Sequence, residues 1–417
     1  MKILVVGGGG REHAIIKKLK KERSDLQIFC APGNGGIGEE ALCVPIPATD
    51  LNHICEYAKT QAFDLVIVAP DDPLVAGLVD KLQALGIRAF GPTKEAAQIE
   101  GSKVFAKELM KKYDIPTAEY AVFEDFDVAN AYLETATIPI VVKADGLALG
   151  KGVIICKTRD EAFEALEAIM KDRQFGDAGS RVVLEEYIEG PEVSILSFCD
   201  GETIVPLSPA QDHKKAFDND QGKNTGGMGT FSPTDKYTPE IQAEVEEKII
   251  HRTLEALKSE GIVFKGVIFF GLMLTENGPK LLEYNARFGD PEAQVVLPKL
   301  DTDLMEIIDA VIDGHLQDVH FRFNPEYSVC VVIASGGYPD AYITGYPIEG
   351  LKDVDKDVVV YHAGTKAANG RMYTYGGRVL GVTGFGRNMK EARDAAYRNV
   401  KKIHFEHMQY RTDIGIK

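Results

Sequence analysis

The sequence predicts a multidomain α/β protein. Its 417 residues are more than one hydrophobic core usually spans, so we expect two to four domains of roughly 100 to 150 residues each. In residues 1–102, short apolar runs alternate with helical patterns, which is typical of a parallel sheet with helices on both faces. Beyond this point, hairpin signals and longer helices replace the alternation and indicate lobes of α+β type.

The first domain, residues 1–102, is predicted to be a doubly wound parallel sheet. Apolar runs are its strands, and the segments between them are its helices. In chain order these segments read KILVVG, REHAIIKKLKKE, LQIFCAP, LNHICEYAKT, DLVIVAP, LVAGLVDKLQALG and IRAFGP. Because strand and helix succeed each other regularly, the helices are expected to cover both faces of the sheet.

The middle of the chain carries hairpin signals. Strands IPIVVKA and GVIICK flank a glycine loop, and RVVLEEYIEG and EVSILSFCD flank Gly190-Pro191. Helices are predicted at KVFAKELMKKY, DEAFEALEAIMKD and PEIQAEVEEKIIHRTLEALKSEG. The segment GVIFFGLMLTENGPKLLEYNAR is predicted to be a hairpin, since Asn277-Gly278 is a strong turn signal.

A last block begins at about residue 324. Its predicted strands are YSVCVVIASGG, VVVYHAGT and GGRVLGVTGFG. The helix MKEARDAAYRNVKKIHF follows, with Asn388 as its N-cap and Glu391 three residues on. This block is expected to form a C-terminal α+β domain, residues 324–417.

Composition excludes several classes of partner. The net charge is −16 and no basic tract is present, so we expect neither nucleic acid nor an anionic membrane as a partner. The six cysteines are scattered without a C-x-x-C pair, which favours buried thiols in a reducing compartment over zinc ligands or a disulfide framework. With no apolar stretch of 18 residues or more, the chain is expected to be soluble and cytoplasmic.

The glycine loop in ILVVGGGGREHAI follows the first strand. It fits the dinucleotide pattern only as far as Gly7-x-Gly9, because Glu12 stands where the third glycine should be. The second strand also lacks the terminal acid that would hold a ribose hydroxyl. Two alternatives remain equally open: an anion site at the start of the next helix, or a tight strand-to-helix turn.

A second glycine loop, KADGLALGKGV, resembles a phosphate-binding P-loop without matching it. Only three residues separate Gly146 from Gly150, no Ser or Thr follows Lys151, and the loop joins two strands. A glycine hairpin with lysines can instead cover a nucleotide's phosphates as a lid. A plain hairpin tip is the alternative, but it would seldom use three glycines, an Asp and two lysines.

The segment KLLEYNARFGDPE carries polar residues at alternating positions. Glu283, Asn285 and, if the strand continues, Arg287 share one face. Two hard oxygen ligands beside a guanidinium suit Mg²⁺ on a triphosphate, with Arg neutralising a transferring phosphoryl group. A solvated strand face is the alternative. The polar, glycine-rich segment 211–229 is expected to be either functional or disordered.

A dozen short motifs occur in order along the whole chain, from residue 2 to about 415. They read GGREH, APGNGG, FGP, GSK, KADGLALGKGV, EEYIEG, QDHK, NTGGMG, NARFGDPE, HAGTK, GGRVL and RTDIG. Together they resemble the phosphoribosylamine–glycine ligase (glycinamide ribonucleotide synthetase) family of de novo purine biosynthesis, within the ATP-grasp superfamily. A single motif would be weak evidence, whereas the ordered set is specific.

The resemblance implies an architecture and a reaction. The ATP-grasp region would be residues 103–323, with a small lobe at about 121–190 and a large lobe of 103–120 and 191–323. ATP would bind between the lobes with Mg²⁺, or with Mn²⁺ in its place. The substrates would be glycine and 5-phosphoribosylamine, joined through a glycyl phosphate to give glycinamide ribonucleotide, ADP and phosphate. A monomer or a homodimer is expected.

The resemblance also implies site residues. Glu283 and Asn285 would bind the metal, and Arg287, Lys143 and Asp290 would be catalytic. Predicted ATP contacts are Lys103, Lys143, Gly150, Lys151, Gly152, Glu185, Glu186, Tyr187, Ile188 and, at the ribose, Glu192. Predicted substrate contacts are Gly8, Gly9, Gly10, Arg11 and Glu12 around the 5-phosphate, with Asp212, His213, Lys214, Asn224, Gly226 and Arg287 for the small substrates.

One departure and two rival functions accompany these expectations. Many superfamily members place a further acidic metal ligand on the strand that reads GVIFFGLMLT here, which contains no acid. Water and phosphate oxygens are therefore expected to complete the metal's coordination. The rivals are another ATP-grasp enzyme that uses bicarbonate or formate, and a sensor that binds ATP without turnover.

Overall fold

The computed structural model describes residues 1–148 and 152–416. Its N-terminal region is a parallel five-stranded sheet of order β3-β2-β1-β4-β5, which confirms the predicted doubly wound domain. The strands are β1 (Lys2–Gly7), β2 (Gln27–Pro32), β3 (Leu42–Cys43), β4 (Leu65–Val68) and β5 (Ala89–Phe90). The helices are α1 (Gly10–Glu22), α2 (Leu51–Thr60), α3 (Asp71–Val75), α4 (Leu78–Ala84) and α5 (Gln98–Gly101).

One predicted helix of this domain is two. The segment LVAGLVDKLQALG was expected to be a single helix, but α3 ends at Val75 and α4 begins at Leu78. Gly77 between them has φ of 88°, a left-handed conformation that ends one helix and starts the next. The hydrophobic spacing alone does not show such a break.

The small lobe follows helix α6 (Lys103–Lys112). It is a four-stranded sheet of order β6-β9-β7-β8 with two helices. Its elements are β6 (Tyr120–Phe123), α7 (Phe126–Leu133), β7 (Ile140–Ala144), β8 (Val153–Cys156), α8 (Arg159–Met170) and β9 (Val182–Glu186). β7 and β8 form the predicted antiparallel hairpin. The lobe has a hydrophobic core of its own, which includes Val142 and Leu166.

The large lobe and the polar segment occupy the next stretch. The strands are β10 (Glu192–Cys199), β11 (Ile204–Pro206), β12 (Gln211–Asp212), β13 (Lys215–Phe217), β14 (Gln221–Asn224), β15 (Gly229–Ser232), β16 (Gly266–Thr275) and β17 (Gly278–Asn285). The helices are α9 (Pro239–Val245), α10 (Arg252–Ser259), α11 (Ala293–Val296) and α12 (Leu304–Asp313), with a π-helical segment, Glu246–His251, joining α9 to α10. The lobe's sheet has the order β11-β10-β16-β17.

The hairpin predicted across Gly190-Pro191 is wrong. β9 pairs with β6 and β7, whereas β10 pairs with β11 and β16, so the two strands belong to different sheets. Gly190 lies at the crossing between the lobes, where a Cβ would stand 2.2 Å from the carbonyl oxygen of Leu274. The Gly-Pro pair therefore marks a passage between lobes, which a turn signal cannot distinguish from a hairpin.

The C-terminal region contains a mixed set of short and long strands. They are β18 (Tyr327–Ser335), β19 (Pro347–Ile348), β20 (Val359–His362), β21 (Thr365–Ala368), β22 (Arg371–Thr374), β23 (Arg378–Gly386) and β24 (Met408–Gln409). Helix α13 (Met389–Val400) starts at the predicted cap, where Asn388 accepts from the Glu391 N–H, but it ends before the predicted Phe405.

Two strands of the predicted ATP-grasp region join the C-terminal sheet. Its order is β12-β15-β18-β23-β20, with β24 on β18. The polar segment 211–229 is therefore ordered: it runs along the edge of this sheet and carries the separate hairpin β13–β14.

The N-terminal domain and the large lobe share their hydrophobic clusters. Leu4 and Val66 of the first sheet belong to one cluster with Phe270 and Leu272 of β16. The small lobe stands apart from this body on its own core, so a cleft is left between the lobes. No helix within 1–148 and 152–416 is long and apolar enough to cross a bilayer.

Candidate functional site

A cleft of about 140 Å³ lies between the two lobes. It collects charged side chains from α6, β7, β17 and the N-terminal domain. Of the residues predicted from sequence, the cleft is lined by Lys103, Lys143, Gly152, Glu283, Asn285 and Arg287. Asp71, Glu100 and Lys107 also line it and were not predicted. Gly150 and Lys151 lie outside the described residues.

A β-bulge in β17 directs Glu283 into the cleft. Gly271 of β16 pairs with Glu283, but the next residue, Leu272, pairs with Leu281, so Leu282 is an extra residue in β17. In a regular strand, positions 281, 283 and 285 would share one face. The bulge instead leaves Leu281 in the core while Glu283 lines the cleft.

Glu283 is an ionised carboxylate among cations. The cationic neighbours are Lys214, Lys143, Lys103 and Arg287. Burial opposes ionisation of Glu283, but these cations, Lys214 foremost, hold its pKa below the ordinary value. Close by, the amide oxygen of Asn285 accepts a hydrogen bond of 2.7 Å from Arg287 Nη2.

The oxygen donors of this pair fit a hard divalent cation only in part. Glu283 and Asn285 offer one carboxylate and one amide oxygen, while Gly271, the partner of Glu283 on β16, offers no side chain. Residues 1–148 and 152–416 contain no group of three or more His, Cys, Asp and Glu arranged to hold a metal. A magnesium ion here would therefore take its other ligands from phosphate oxygens and water.

Two lysines share a single buried carboxylate. Glu185 is 2 % exposed, and its oxygens lie 2.7 Å from Lys143 Nζ and 3.0 Å from Lys107 Nζ. Burial lowers the pKa of Lys107 to about 8 and also lowers the pKa of Lys103, whose ammonium donates to the Gly146 carbonyl at 2.8 Å. This surplus of positive charge suits a polyphosphate. Lys107 is one helical turn from Lys103 on α6, a spacing that could have indicated it from sequence.

The rest of the predicted inter-lobe segment lies at the end of β9. Glu186 is exposed and lies 3.6 Å from Lys280, and Tyr187 and Ile188 are half-buried. Glu192, at the start of β10, forms an ion pair of 3.0 Å with Lys214. Contacts of these residues with a nucleotide stay predictions.

Two acidic residues of the N-terminal domain hold Arg287. Glu100 Oε1 lies 2.9 Å from Arg287 Nη2, and its other oxygen accepts from the Ala286 N–H at 2.7 Å. Asp71 lies 3.8 Å from the same guanidinium nitrogen. Among the described residues, Arg287 Nε is buried without a hydrogen-bond partner, so this donor is left for a ligand.

A second cleft, of about 310 Å³, separates the N-terminal and C-terminal domains. Its lining comprises Gly8, Gly9, Gly33, Asn34, Asp290, Tyr338, Ala363, Gly364, Thr365, Tyr375 and Arg378. Gly8 is packed so closely that a Cβ there would be 2.5 Å from the Gly33 carbonyl oxygen. Asn34 ties the two domains together, because its amide donates to the carbonyls of Gly8 at 2.9 Å and His362 at 2.8 Å.

The predicted phosphate loop divides into two parts. Gly8 and Gly9 line the second cleft, and Gly10 begins α1. Glu12 accepts from the Gly9 N–H at 2.5 Å and pairs with Arg11 at 2.6 Å. Since Arg11 and Glu12 are both buried, they support the loop from behind.

The carboxylate of Asp290 lies at the N-terminus of α1. Its Oδ2 lies 3.4 Å from the Arg11 N–H and 3.7 Å from Arg378 Nη2, and its Oδ1 accepts from Gln294 at 2.7 Å. Burial opposes ionisation, but Arg378 and then Arg11 hold the pKa of Asp290 below the ordinary value. A carboxylate at a helix N-terminus is favourable, so Asp290 already supplies one negative charge there.

The polar segment 211–229 interacts with residues of both clefts, through Lys214 with Glu283 and through the Gly226 carbonyl with Arg378. Burial, and after it the charge of Glu292, raises the pKa of Asp212 well above the ordinary value. Asp212 Oδ1 is buried and has no hydrogen-bond partner in the described part of the chain. His213 is fully buried against Phe231. The carbonyl of Gly226 accepts from Arg378 Nη1 at 2.6 Å, while Asn224 ends β14.

Three family models cover nearly the whole chain. The phosphoribosylglycinamide synthetase N domain matches residues 1–100, the ATP-grasp (A) domain matches 101–293, and the C domain matches 328–417. The chain belongs to the phosphoribosylglycinamide synthetase family. One relative of this chain is the phosphoribosylamine–glycine ligase of Caldanaerobacter subterraneus. The two sequences are 49 % identical over 415 residues, which cover 100 % of this chain and 99 % of the relative.

Solved structures agree with this assignment to the synthetase family. The crystal structure of phosphoribosylamine–glycine ligase from Thermotoga maritima is similar with a TM-score of 0.87 and 32 % identity, over 99 % of this chain and 100 % of that one. The biotin carboxylase domain of Hydrogenobacter thermophilus 2-oxoglutarate carboxylase, in complex with ADP, magnesium and bicarbonate, has a TM-score of 0.75 over 98 % and 91 % of the two chains. At 18 % identity this second likeness shows the shared fold alone.

Several site residues of this synthetase-family chain escaped sequence reasoning. They are Asp71, Glu100 and Lys107 in the inter-lobe cleft, and Asn34, Thr365 and Arg378 in the second. Asn34, Thr365 and Arg378 lie in the motifs APGNGG, HAGTK and GGRVL. These motifs supported the resemblance, but no pattern in them shows that three distant segments meet at one cleft.

Proposed function

We infer that this chain is an ATP-dependent ligase that joins glycine to 5-phosphoribosylamine in de novo purine biosynthesis, giving glycinamide ribonucleotide, ADP and phosphate. The observation that carries this inference is the match of all three synthetase domains along the chain, together with 49 % identity to a phosphoribosylamine–glycine ligase. The two clefts support it, because one is rich in cations beside an ionised acid and the other opens at a glycine loop.

The first proposed step activates glycine. A carboxylate oxygen of glycine attacks the γ-phosphorus of ATP, the bond to the β,γ-bridging oxygen breaks, and ADP leaves with that electron pair. Lys103, Lys143 and Arg287 are arranged to neutralise charge on the transferring phosphoryl group. A magnesium ion, held by Glu283 and Asn285, would supply further charge neutralisation on the phosphate oxygens.

The second proposed step forms the amide. The amine of phosphoribosylamine attacks the acyl carbon of glycyl phosphate, the bond from carbon to the phosphate oxygen breaks, and phosphate leaves with that electron pair. The proton that the amine loses passes to the departing phosphate or to water. We propose that Asp212 receives a substrate amino group, since its buried Oδ1 has no partner among the described residues and an ammonium donor would satisfy it. Water must be excluded while the acyl phosphate exists, and the assignment of this task to the glycine loop of residues 143–153 stays a prediction from the sequence.

The second cleft is our proposed site for the 5-phosphate of phosphoribosylamine. Gly8 and Gly9 expose backbone there, and the Arg378 guanidinium and the Asn34 amide lie at its walls. Asp290 stands between this cleft and the helix α1, which favours a phosphate seated toward Arg378 over one placed directly on the helix axis.

The family and the thiols support three further proposals. The nucleotide metal is Mg²⁺, with Mn²⁺ as a substitute, because the donors are hard oxygens. The six cysteines are free, which supports a cytoplasmic location. The active species is a monomer or a homodimer.

The decisive experiment is to measure ADP release with glycine and freshly generated phosphoribosylamine, and then to omit each in turn. Release that needs both substrates supports the ligase. Release that is indifferent to glycine but needs bicarbonate or formate would favour another ATP-grasp reaction. ATP binding without turnover under all these conditions would favour a sensor.

A further inference from the structure

The motif RTDIG near the end of the chain has no part in the mechanism above. Its first residue, Arg411, is nevertheless among the largest fully buried side chains, at 1 % exposure. A buried guanidinium is unfavourable unless its donors are satisfied by well-placed acceptors. The contacts of Arg411 therefore show what the motif holds.

Arg411 links the C-terminal segment to the hairpin β13–β14. Its Nε and Nη2 donate to the two carboxylate oxygens of Asp413 at 2.7 and 2.6 Å, a bidentate pair that fixes the plane of the guanidinium. Its Nη1 then donates to the Lys215 carbonyl at 3.1 Å and to Asp220 Oδ1 at 3.0 Å. Nε and Nη2 thus bind a residue of the same segment, and Nη1 binds the hairpin.

The neighbours of Arg411 hold the same hairpin at its turn. The Thr412 N–H donates to Asp218 at 2.8 Å, and the Asn219 N–H donates to Asp413 at 2.9 Å. Asn219 and Asp220 have φ of 58° and 54°, in the left-handed region that Asn and Asp adopt more readily than other side chains. The two hydrogen bonds tie this turn to the C-terminal segment.

The hairpin needs this support because it stands apart from the larger sheets. Among the described strands, β13 and β14 pair only with each other, and a two-stranded hairpin is marginal alone. Its two ends carry the substrate candidates: Lys214 precedes β13, and the Lys214 carbonyl accepts from the Thr225 N–H at 2.8 Å just after β14. Gly226 follows, bonded to Arg378.

We propose that Arg411, fixed by Asp413, is a positioning residue that holds the β13–β14 hairpin so that Asp212, Lys214 and Gly226 keep their places in the substrate site. This rests on the proposed ligase function for the identity of the substrates. Arg411 itself touches neither cleft, so it acts only through the hairpin.

A pair of glycine substitutions tests the proposal and leaves Arg411 and its bidentate pair with Asp413 in place. Asp220→Gly removes the acceptor on the hairpin and suits the left-handed conformation, while Asn219→Gly is the matched control, because it changes the adjacent left-handed residue and keeps the Asn219 N–H bond to Asp413. We expect Asp220→Gly to raise the KM for glycine or phosphoribosylamine about tenfold, as loss of a hydrogen bond to a charged group should. The KM for ATP should stay within twofold.

Hydrogen exchange supplies a readout that does not depend on the reaction. Backbone amides of residues 215–224 should exchange about tenfold faster in Asp220→Gly than in Asn219→Gly. Equal exchange and equal KM values in the two variants would overturn the proposal. If the unmodified protein shows no glycine-dependent ADP release, the proposed function fails, and the exchange comparison still decides whether the C-terminal segment holds the hairpin.

Arg411→Lys extends the test to the buried side chain. Lysine keeps the charge but cannot make a bidentate pair with Asp413 while also reaching Lys215. A folded Arg411→Lys variant is expected to show the same selective rise in substrate KM as Asp220→Gly. An unchanged KM in this variant would count against a positioning role.

Discussion

The two clefts of this molecule are built in different ways. The inter-lobe cleft takes several of its polar groups from one helix and one strand, where Lys103 and Lys107 lie a turn apart on α6 and Glu283 and Asn285 alternate on β17. The second cleft is assembled from segments that are distant in sequence, and it carries Arg378 as a cation. Several residues of the first cleft can be recognised from their spacing in the sequence, whereas the residues of the second come together only in the folded chain.

The difference also affects how each cleft balances charge. In the inter-lobe cleft, anions and cations are paired before any ligand arrives, as Glu185 is with Lys143 and Lys107. In the second cleft, Arg378 Nη1 donates hydrogen bonds to the carbonyls of Gly226 and Asp290, at 2.6 and 2.7 Å. Losing a charge should therefore disrupt chemistry in the first cleft and alignment in the second.

The largest effect is expected from Glu283→Gln. Removing this carboxylate leaves the surrounding lysines and Arg287 without their shared anion and removes a proposed metal ligand. Glycine-dependent ADP release should fall about a thousandfold while the melting temperature stays close to that of the unmodified protein. Glu276→Gln, at the exposed turn of the same β16–β17 hairpin, is the control. Full activity in Glu283→Gln would refute the metal assignment.

A smaller effect, confined to one substrate, is expected from Arg378→Met. The variant loses the guanidinium of the second cleft and the donor to the Gly226 carbonyl. We expect kcat/KM for phosphoribosylamine to fall about a hundredfold, with the KM for ATP unchanged. Arg387→Met removes an exposed arginine of the same domain and should be silent. If ATP binding weakened as much as that of phosphoribosylamine, the separation between the clefts would be wrong.

Glu100→Gln probes the support of the inter-lobe cleft from the N-terminal domain. Glutamine can still accept from the Ala286 N–H, but it no longer balances the charge of Arg287. Arg287 should then be less well placed, and kcat should fall about tenfold with little change in KM. The exposed Glu95→Gln is a matched control nearby. An unchanged kcat would show that Arg287 does not need this partner.

The smallest effect concerns the stability contributed by His362, which directly precedes Ala363 of the second cleft. Burial, and then the charges of His13 and Lys17, lower the pKa of His362 to about 3, while Glu40 opposes the shift. The unfolded chain takes up this proton below about pH 6.5 and the folded chain does not, so stability is lost as pH falls through that value. Between pH 6.5 and 5 the loss from His362 should reach about 2 kcal/mol.

Thermal or chemical unfolding across this pH range checks the prediction. His362→Asn should show a shallower loss of unfolding free energy at acid pH than the unmodified protein. His251→Asn, at an exposed helical position, should leave the pH dependence as it was. Parallel curves for the His362 variant and the unmodified protein would mean that the buried imidazole does not govern acid stability. Activity need not change in either variant at neutral pH.

The features of the fold and of the sites that could be predicted from the sequence follow the same division. Strand and helix periodicity gave the N-terminal sheet and most helices, and alternation on one strand led to Glu283 and Asn285. Periodicity could not show the helix break at Gly77 or the change of sheet at Gly190. It also could not show the bulge at Leu282, which lets Glu283 line the cleft while Leu281 stays in the core. These depend on tertiary packing and on single backbone angles.

The residues missed in the sites share a physical reason. Glu100 and Asp71 meet Arg287 across a domain contact, and Arg378 and Gly8 line one cleft only because the C-terminal sheet packs beside α1. Nothing local distinguishes such an acid or arginine from a solvated one. Motifs that match a family can flag these positions, as GGRVL does for Arg378, but they do not state what each residue touches.

The pairing of β15 with β18 has a consequence for synthesis of the chain on the ribosome. β15 ends at Ser232, whereas its partner β18 begins at Tyr327. Residues 233–326 must therefore be translated before the two strands can pair. The hairpin's clamp, residues 411–413, emerges later still. The nascent chain therefore completes its nucleotide lobes first and its substrate loop last, so a truncated product would hold an ATP-grasp core without the loop's final geometry.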